Sequence, residues 1–228
     1  MSFSSLRQLV RTESDETRDE GLSLIELVVA MSIFTVVLSI YFGALISMSH
    51  TTVRAQDSVD ASDALRATFN TLDHQARYAT SINRPVQGSS LAWYVELEAT
   101  NLPDGEKPIC YQWRLDPATK VLSTRTWTED GTSVVTAWHG VSWRVTSGNV
   151  NGAGAAVSPF VFEPAGSSKL RQQLTVHLTV DGATTGRLGE QSTTFIARNS
   201  SSKSPSNLDA NNDGVSDNQV CMTGMDRP

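Results

Sequence analysis

Residues 22–46 read LSLIELVVAMSIFTVVLSIYFGALI, 25 residues with a single charge at Glu26. As a helix this run is long enough to cross a hydrocarbon core of about 30 Å, and at that length it is too apolar to stand in water alone. Beyond Arg54 the sequence turns polar and alternating, so the chain is expected to have one anchor near its N-terminus and an exported body. Residues 1–21 are polar and lack the apolar core of a secretory signal. The residues after the run, ISMSH, make a poor small-x-small cleavage site, which leaves the front of the run as the place for a cut. At 228 residues with 39% hydrophobic content the body has enough chain for a sizeable core. A net charge of −6 with no Lys/Arg-rich run argues against a dedicated nucleic-acid surface.

Glu26 constrains the anchor further. An ionisable group in a spanning helix costs roughly 2.5–3.5 kcal/mol on insertion scales, so it calls for a partner or a function; the plainer alternative is a carboxylate that snorkels to the interface. Gly21 stands five residues before it. The segment Gly21-Leu22-Ser23-Leu24-Ile25-Glu26-Leu27 resembles the prepilin processing site of type IV pilins and type II secretion pseudopilins. That resemblance implies cleavage by a prepilin peptidase after Gly21, methylation of the new amino terminus at Leu22, and pairing of Glu26 with the freed amine of a neighbouring subunit. It also implies an α+β fold, partnership with other pilin or pseudopilin subunits, an inner-membrane assembly platform and membrane lipid, and a cytoplasmic N-terminus. The C-terminal domain would be extracytoplasmic and then part of a cell-surface or periplasm-spanning filament. Two features depart from the usual pattern: leucine follows the glycine, and three arginines in the leader face five carboxylates. The size, the leader and the ending FIARN before a serine-rich stretch resemble the larger minor components, the J-type pseudopilins and related minor pilins.

Past the apolar run, Leu65, Phe69, Leu72, Ala76 and Ala79 recur at spacings of three and four, which predicts a single helix from 22 to about 82, with Pro85 marking its end. The period then falls to two. Alternation predicts half-buried strands at 91–97, 109–115 and 174–180, with further strands at 121–128, 134–138, 141–146 and 193–198. Turns are expected at Pro103-Asp104-Gly105, Asp130-Gly131 and Asp181-Gly182, and a flexible loop at 147–158. The expected architecture is α+β, a long N-terminal helix whose amphipathic half packs on an antiparallel sheet. Its divisions are a leader at 1–21, a helix at 22–83, a strand-rich domain at 84–198 and a linker with tail at 199–228. Five tryptophans between Trp93 and Trp143 fit a strand-rich core, an exposed aromatic binding strip being the other reading.

In the tail, 199–207 has the composition of a polar linker. Asp209, Asn211, Asp213, the Val215 carbonyl and Asp217 then put oxygens at alternate positions, with Gly214 sixth, as calcium loops do; the alternative is a solvated Asn/Asp/Gly turn. Val220 stands where an EF-hand has its bidentate glutamate, leaving Asp226 as a substitute. Cys110 and Cys221, the two cysteines, both fall on the exported side, where an isolated pair is usually a disulfide. His50, His74, His139 and His177 have no metal-ligand spacing, no nucleophile elbow or phosphate loop occurs, and Glu96 with Glu98 reads as the wet face of a strand, so no enzyme is expected. Two functions remain to be separated: a minor filament subunit, and a singly anchored calcium-dependent surface binding module whose helix is only a tether.

Overall fold

The computed structural model describes residues 23–100, 106–131, 134–182, 186–225 and 227. The chain divides into two compact units, 1–51 and 52–228. Helix α1, Leu24–Tyr78, contributes to both. In the first unit its apolar side chains, Leu24 to Ile46, are exposed or nearly so.

In the second unit Ala61, Leu65, Phe69, Leu72 and Ala76 form the buried stripe of α1, as the spacing predicts. They meet ten strands: β1 Ser81–Ile82, β2 Val86–Gln87, β3 Trp93–Ala99, β4 Ile109–Asp116, β5 Val121–Thr128, β6 His139–Trp143, β7 Val145–Ser147, β8 Phe160–Glu163, β9 Gln173–Asp181 and β10 Arg187–Ile196. The first six make one sheet in the order β1-β3-β4-β5-β6, with β2 also on β3. The other four make a second sheet in the order β10-β9-β7, with β8 also on β9. Every pairing is antiparallel. One core joins the helix stripe to Val95, Leu97, Trp113, Leu115 and Leu122 of the first sheet and to Leu174, Val176, Leu178 and Phe195 of the second. The α+β expectation is thus met.

Several local expectations are corrected. The helix stops at Tyr78, short of 82, because Ser81 and Ile82 are buried and pair with Glu98 and Leu97; Pro85 is not what ends it. The expected strand 141–146 is divided between the two sheets: Arg144 takes φ +59°, and this left-handed residue turns the chain from β6 to β7. Residues 134–138 form no strand. They contact β5 through Thr136, whose N–H donates to Thr126 O (3.0 Å) and whose hydroxyl accepts from Thr126 N (2.9 Å). The expected 193–198 strand starts six residues earlier, at Arg187, and ends at Ile196. β2 and β8 were not expected, since two to four residues carry no readable period. The stretch after Ser147 is tied down by Asn149 and Asn151, whose side chains bond to the Ser158 carbonyl and to the Ala153 and Ala155 amides. Pro103-Asp104-Gly105 lies outside the described residues, as do 183–185 after Asp181-Gly182.

The tail is no linker. Pro205–Asn207 is a short 3-10 helix, and Ser200, Ser204 and Ser206 are buried with bonded hydroxyls. A small hydroxyl that finds a backbone partner is cheap to bury, so a serine-rich composition does not by itself keep a segment in water.

Candidate functional site

Two regions carry chemistry, one in each unit. In the first, α1 presents a helix long and apolar enough to cross a membrane. Its hydroxyls do not spoil it: Ser32, Thr35 and Ser39 donate to the carbonyls of Val28, Met31 and Thr35 at 2.7–2.8 Å, one turn back. Glu26 sits in the first helical turn, where a carboxylate suits the positive end of the helix dipole. Unlike those hydroxyls it cannot return to a helix carbonyl, so it is the group in this span that needs an outside partner. Gly21 and Leu22, the expected processing pair, lie outside the described residues.

The second region is the face of the first sheet turned away from α1. Strand alternation and register lay out a grid there: Tyr94, Arg114 and Ser123 in one row, Glu96, Gln112 and Arg125 in the next, and Glu98, Cys110 and Trp127 in the third. The tail covers this face. Cys110 and Cys221 form the disulfide, with Cα atoms 5.7 Å apart. They are buried with Trp127 and Val220 in a second apolar cluster. Asn83 grips Val220 by both backbone groups, accepting from its N–H (2.9 Å) and donating to its carbonyl (2.9 Å). Glu129 accepts from the Thr223 N–H (3.0 Å), the Thr223 hydroxyl (2.7 Å) and Trp127 Nε1 (2.9 Å). Gly224 has no room for a side chain, because a Cβ would lie 2.5 Å from the Trp127 ring.

Glu96 corrects the reading of β3 as having a wet face. It has no exposed surface. Its carboxylate accepts from Gln112 Nε2 (2.8 Å), Asn83 Nδ2 (3.1 Å) and both ends of the Arg227 fork. A buried carboxylate is tolerable when opposite charge and hydrogen bonds surround it. Alternation alone gives the face on which Glu96 stands; that the tail returns to cover that face, 131 residues later, has no local signal. Glu98 is partly covered. Burial pushes its carboxyl above the ordinary value, and the neighbouring Glu129 carboxylate adds to the effect.

The acidic loop has a turn of the expected kind, with Asn212 at φ +57° and Gly214 at φ +82°. Its side chains bond to the loop itself: Asp209 Oδ1 and Asn211 Oδ1 accept from Asp213 N, Asp213 Oδ1 from Val215 N, and Asp217 Oδ2 from Ala210 N, at 2.7–3.2 Å. The other Asp209 oxygen lies 3.5 Å from Arg84 Nε. Among the described residues no three His, Cys, Asp or Glu side chains converge as a metal-holding group. The backbone turn therefore fits a calcium loop, whereas the carboxylates are aimed at amides. Val220, at the twelfth position, is held by Asn83, and Asp226 lies outside the described residues.

Comparison with known sequences finds one matching family, described as the prokaryotic N-terminal methylation motif, over residues 17–42. No curated protein and no solved structure matches. The matched segment contains Gly21, Leu22 and Glu26 and ends within the apolar run.

Proposed function

The chain carries the N-terminal methylation motif of type IV pilin-like prepilins, and on that premise we propose that it is a minor subunit of a type IV pilus or type II secretion pseudopilus. The observation that carries the proposal is Glu26, the one charge of an otherwise apolar spanning helix, placed five residues after Gly21 inside the matched motif. A prepilin peptidase cuts after Gly21, and the new amino terminus at Leu22 is methylated. As the helix leaves the bilayer for the filament, Glu26 pairs with the amine of a neighbouring subunit's Leu22, since opposite charge nearby is what makes a carboxylate tolerable in that environment. The disulfide-stapled head supports a specialised component over a bulk fibre subunit.

The processing step is tested by intact-mass measurement and N-terminal sequencing of the membrane-extracted protein. A mature chain beginning at methylated Leu22 is expected, whereas one retaining Met1 or beginning near Ser49 would refute the proposal. Glu26→Ala should still be cleaved but fail to enter filaments in a pull-down with co-expressed subunits. Normal assembly of that variant would favour a tethered surface module instead.

Calcium at the 209–217 loop belongs to the same reading, supported by the alternating oxygens and the left-handed turn at Gly214. Binding requires Asp209, Asp213 and Asp217 to exchange amide partners for the ion. A melting temperature that rises with millimolar calcium, and ceases to do so in Asp213→Ala, is the expected outcome. An unchanged melting temperature in the unaltered protein removes calcium from the account.

A further inference from the structure

Trp138 belongs to the strandless 134–138 segment and lies over the first row of the sheet grid, half-buried. Arg114 Cζ stands 4.3 Å from its ring centroid and Arg125 Cζ 4.4 Å. The Tyr94 ring is 6.3 Å away, and Tyr94 is directly opposite Arg114 in the β3–β4 register. Two guanidiniums on one indole make a concentrated positive site on a chain whose net charge is −6. Arg125 is held in place by Gln112 Oε1, which accepts from its Nε (2.7 Å), and by the Gly224 carbonyl (3.2 Å). Arg114 forms no salt bridge among the described residues.

Two further observations point to a missing anionic acceptor. Arg114 Nε and Tyr94 Oη are both buried and both lack a hydrogen-bond partner, although Tyr94 as a whole has no exposed surface. Orphaned buried donors are uncommon in folded proteins and call for an explanation. The carboxylate in the adjoining row cannot serve, because Glu96 is saturated by Arg227, Gln112 and Asn83.

We propose that Arg114, Arg125 and Trp138 form a docking site for a carboxylate side chain presented by an acidic polypeptide. The planar guanidinium fork matches a carboxylate, and the indole face provides an apolar platform for the methylene carbons that lead to it. The net negative charge of the chain disfavours an extended polyanion such as a nucleic acid at the same place. The site depends on neither the N-terminal motif nor the calcium loop.

The test uses the processed, disulfide-bonded protein in detergent and an acetylated hexaglutamate peptide as probe, followed through the indole N–H resonances; Trp138→Phe identifies the signal of Trp138. A saturable shift of that resonance is expected, weakened by salt, abolished in Arg114→Met and weakened at least several-fold in Arg114→Lys, which keeps the charge but loses the fork. The other four indole signals report whether each variant is folded; if Arg114→Met disturbs them, the Arg114→Lys comparison decides. The proposal is overturned by the absence of a shift, by a shift that survives loss of the Arg114 fork, by an equal response to hexaglutamine, or by inorganic phosphate binding as well as the peptide does.

Discussion

A carboxylate with no exposed surface, Glu96, accepts from four nitrogen donors supplied by Asn83, Gln112 and Arg227. Removing one partner of a buried ion pair leaves the other charge uncompensated, which typically costs about 3–5 kcal/mol, whereas removing both can be nearly neutral. Arg227→Met should therefore lose stability of that order in urea denaturation, and the double variant Glu96→Gln/Arg227→Met should regain most of it. If the double variant is as unstable as the single, the guanidinium contributes through packing and not through charge. Glu98 behaves oppositely. Burial, and then the Glu129 carboxylate, hold its folded pKa above the unfolded value of 4.5. The folded state therefore binds more protons in the window just above that value, and stability falls as pH rises through it. Glu98→Gln should melt higher than the parent at neutral pH, with the difference closing below pH 4 or so, where both states of the parent are protonated. A melting difference that stays constant from neutral to acid would rule out this titration as the cause.

At the scale of elements, the helix and the longer strands were legible in the sequence because each repeats a period over enough residues: Leu65, Phe69, Leu72 and Ala76 at the helical spacing, and Leu174, Val176, Leu178 and Val180 at the strand spacing. β1, β2 and β8 are too short for a period, and Arg144's left-handed backbone has no residue signature such as glycine would give. The tail was misread for a different reason. Its serines are buried through hydroxyl bonds to Thr80, Ile82 and Ala197 carbonyls, and composition does not reveal partners more than 100 residues away. Non-covalent anchors, the Asn83–Val220 pair above all, bring Cys221 to Cys110 across 111 residues of sequence. Loss of a native disulfide typically costs about 2–5 kcal/mol. Cys110→Ser/Cys221→Ser should lose stability in that range while the Val220 amide keeps measurable protection in hydrogen exchange. Exchange of that amide at the rate of an unfolded chain would mean that the disulfide, and not the Asn83 clamp, positions the tail.

For the molecule as a whole, the most legible part of the function was also the most local. Gly21, Leu22 and Glu26 form a contiguous signal that the family match at 17–42 supports directly. The calcium loop was legible as a turn, through Gly214, but the aim of its carboxylates depends on which donors the fold brings near, Arg84 among them. The arginine-flanked Trp138 was beyond reach in the same way, since it joins side chains from β3, β4, β5 and a segment without regular structure.

The covering of the first sheet by residues 216–227 also sets an order of events in time. A chain made and exported from its N-terminus delivers β3, with Glu96, long before Arg227 arrives to meet it. During that interval the carboxylate stays hydrated on an open surface and Cys110 is a free thiol without its partner. The head therefore completes its second apolar cluster in one late step, on the far side of the membrane under the proposed topology. A subunit stalled partway through export would present that uncovered sheet face as the mark by which quality-control proteases could distinguish it from a finished one.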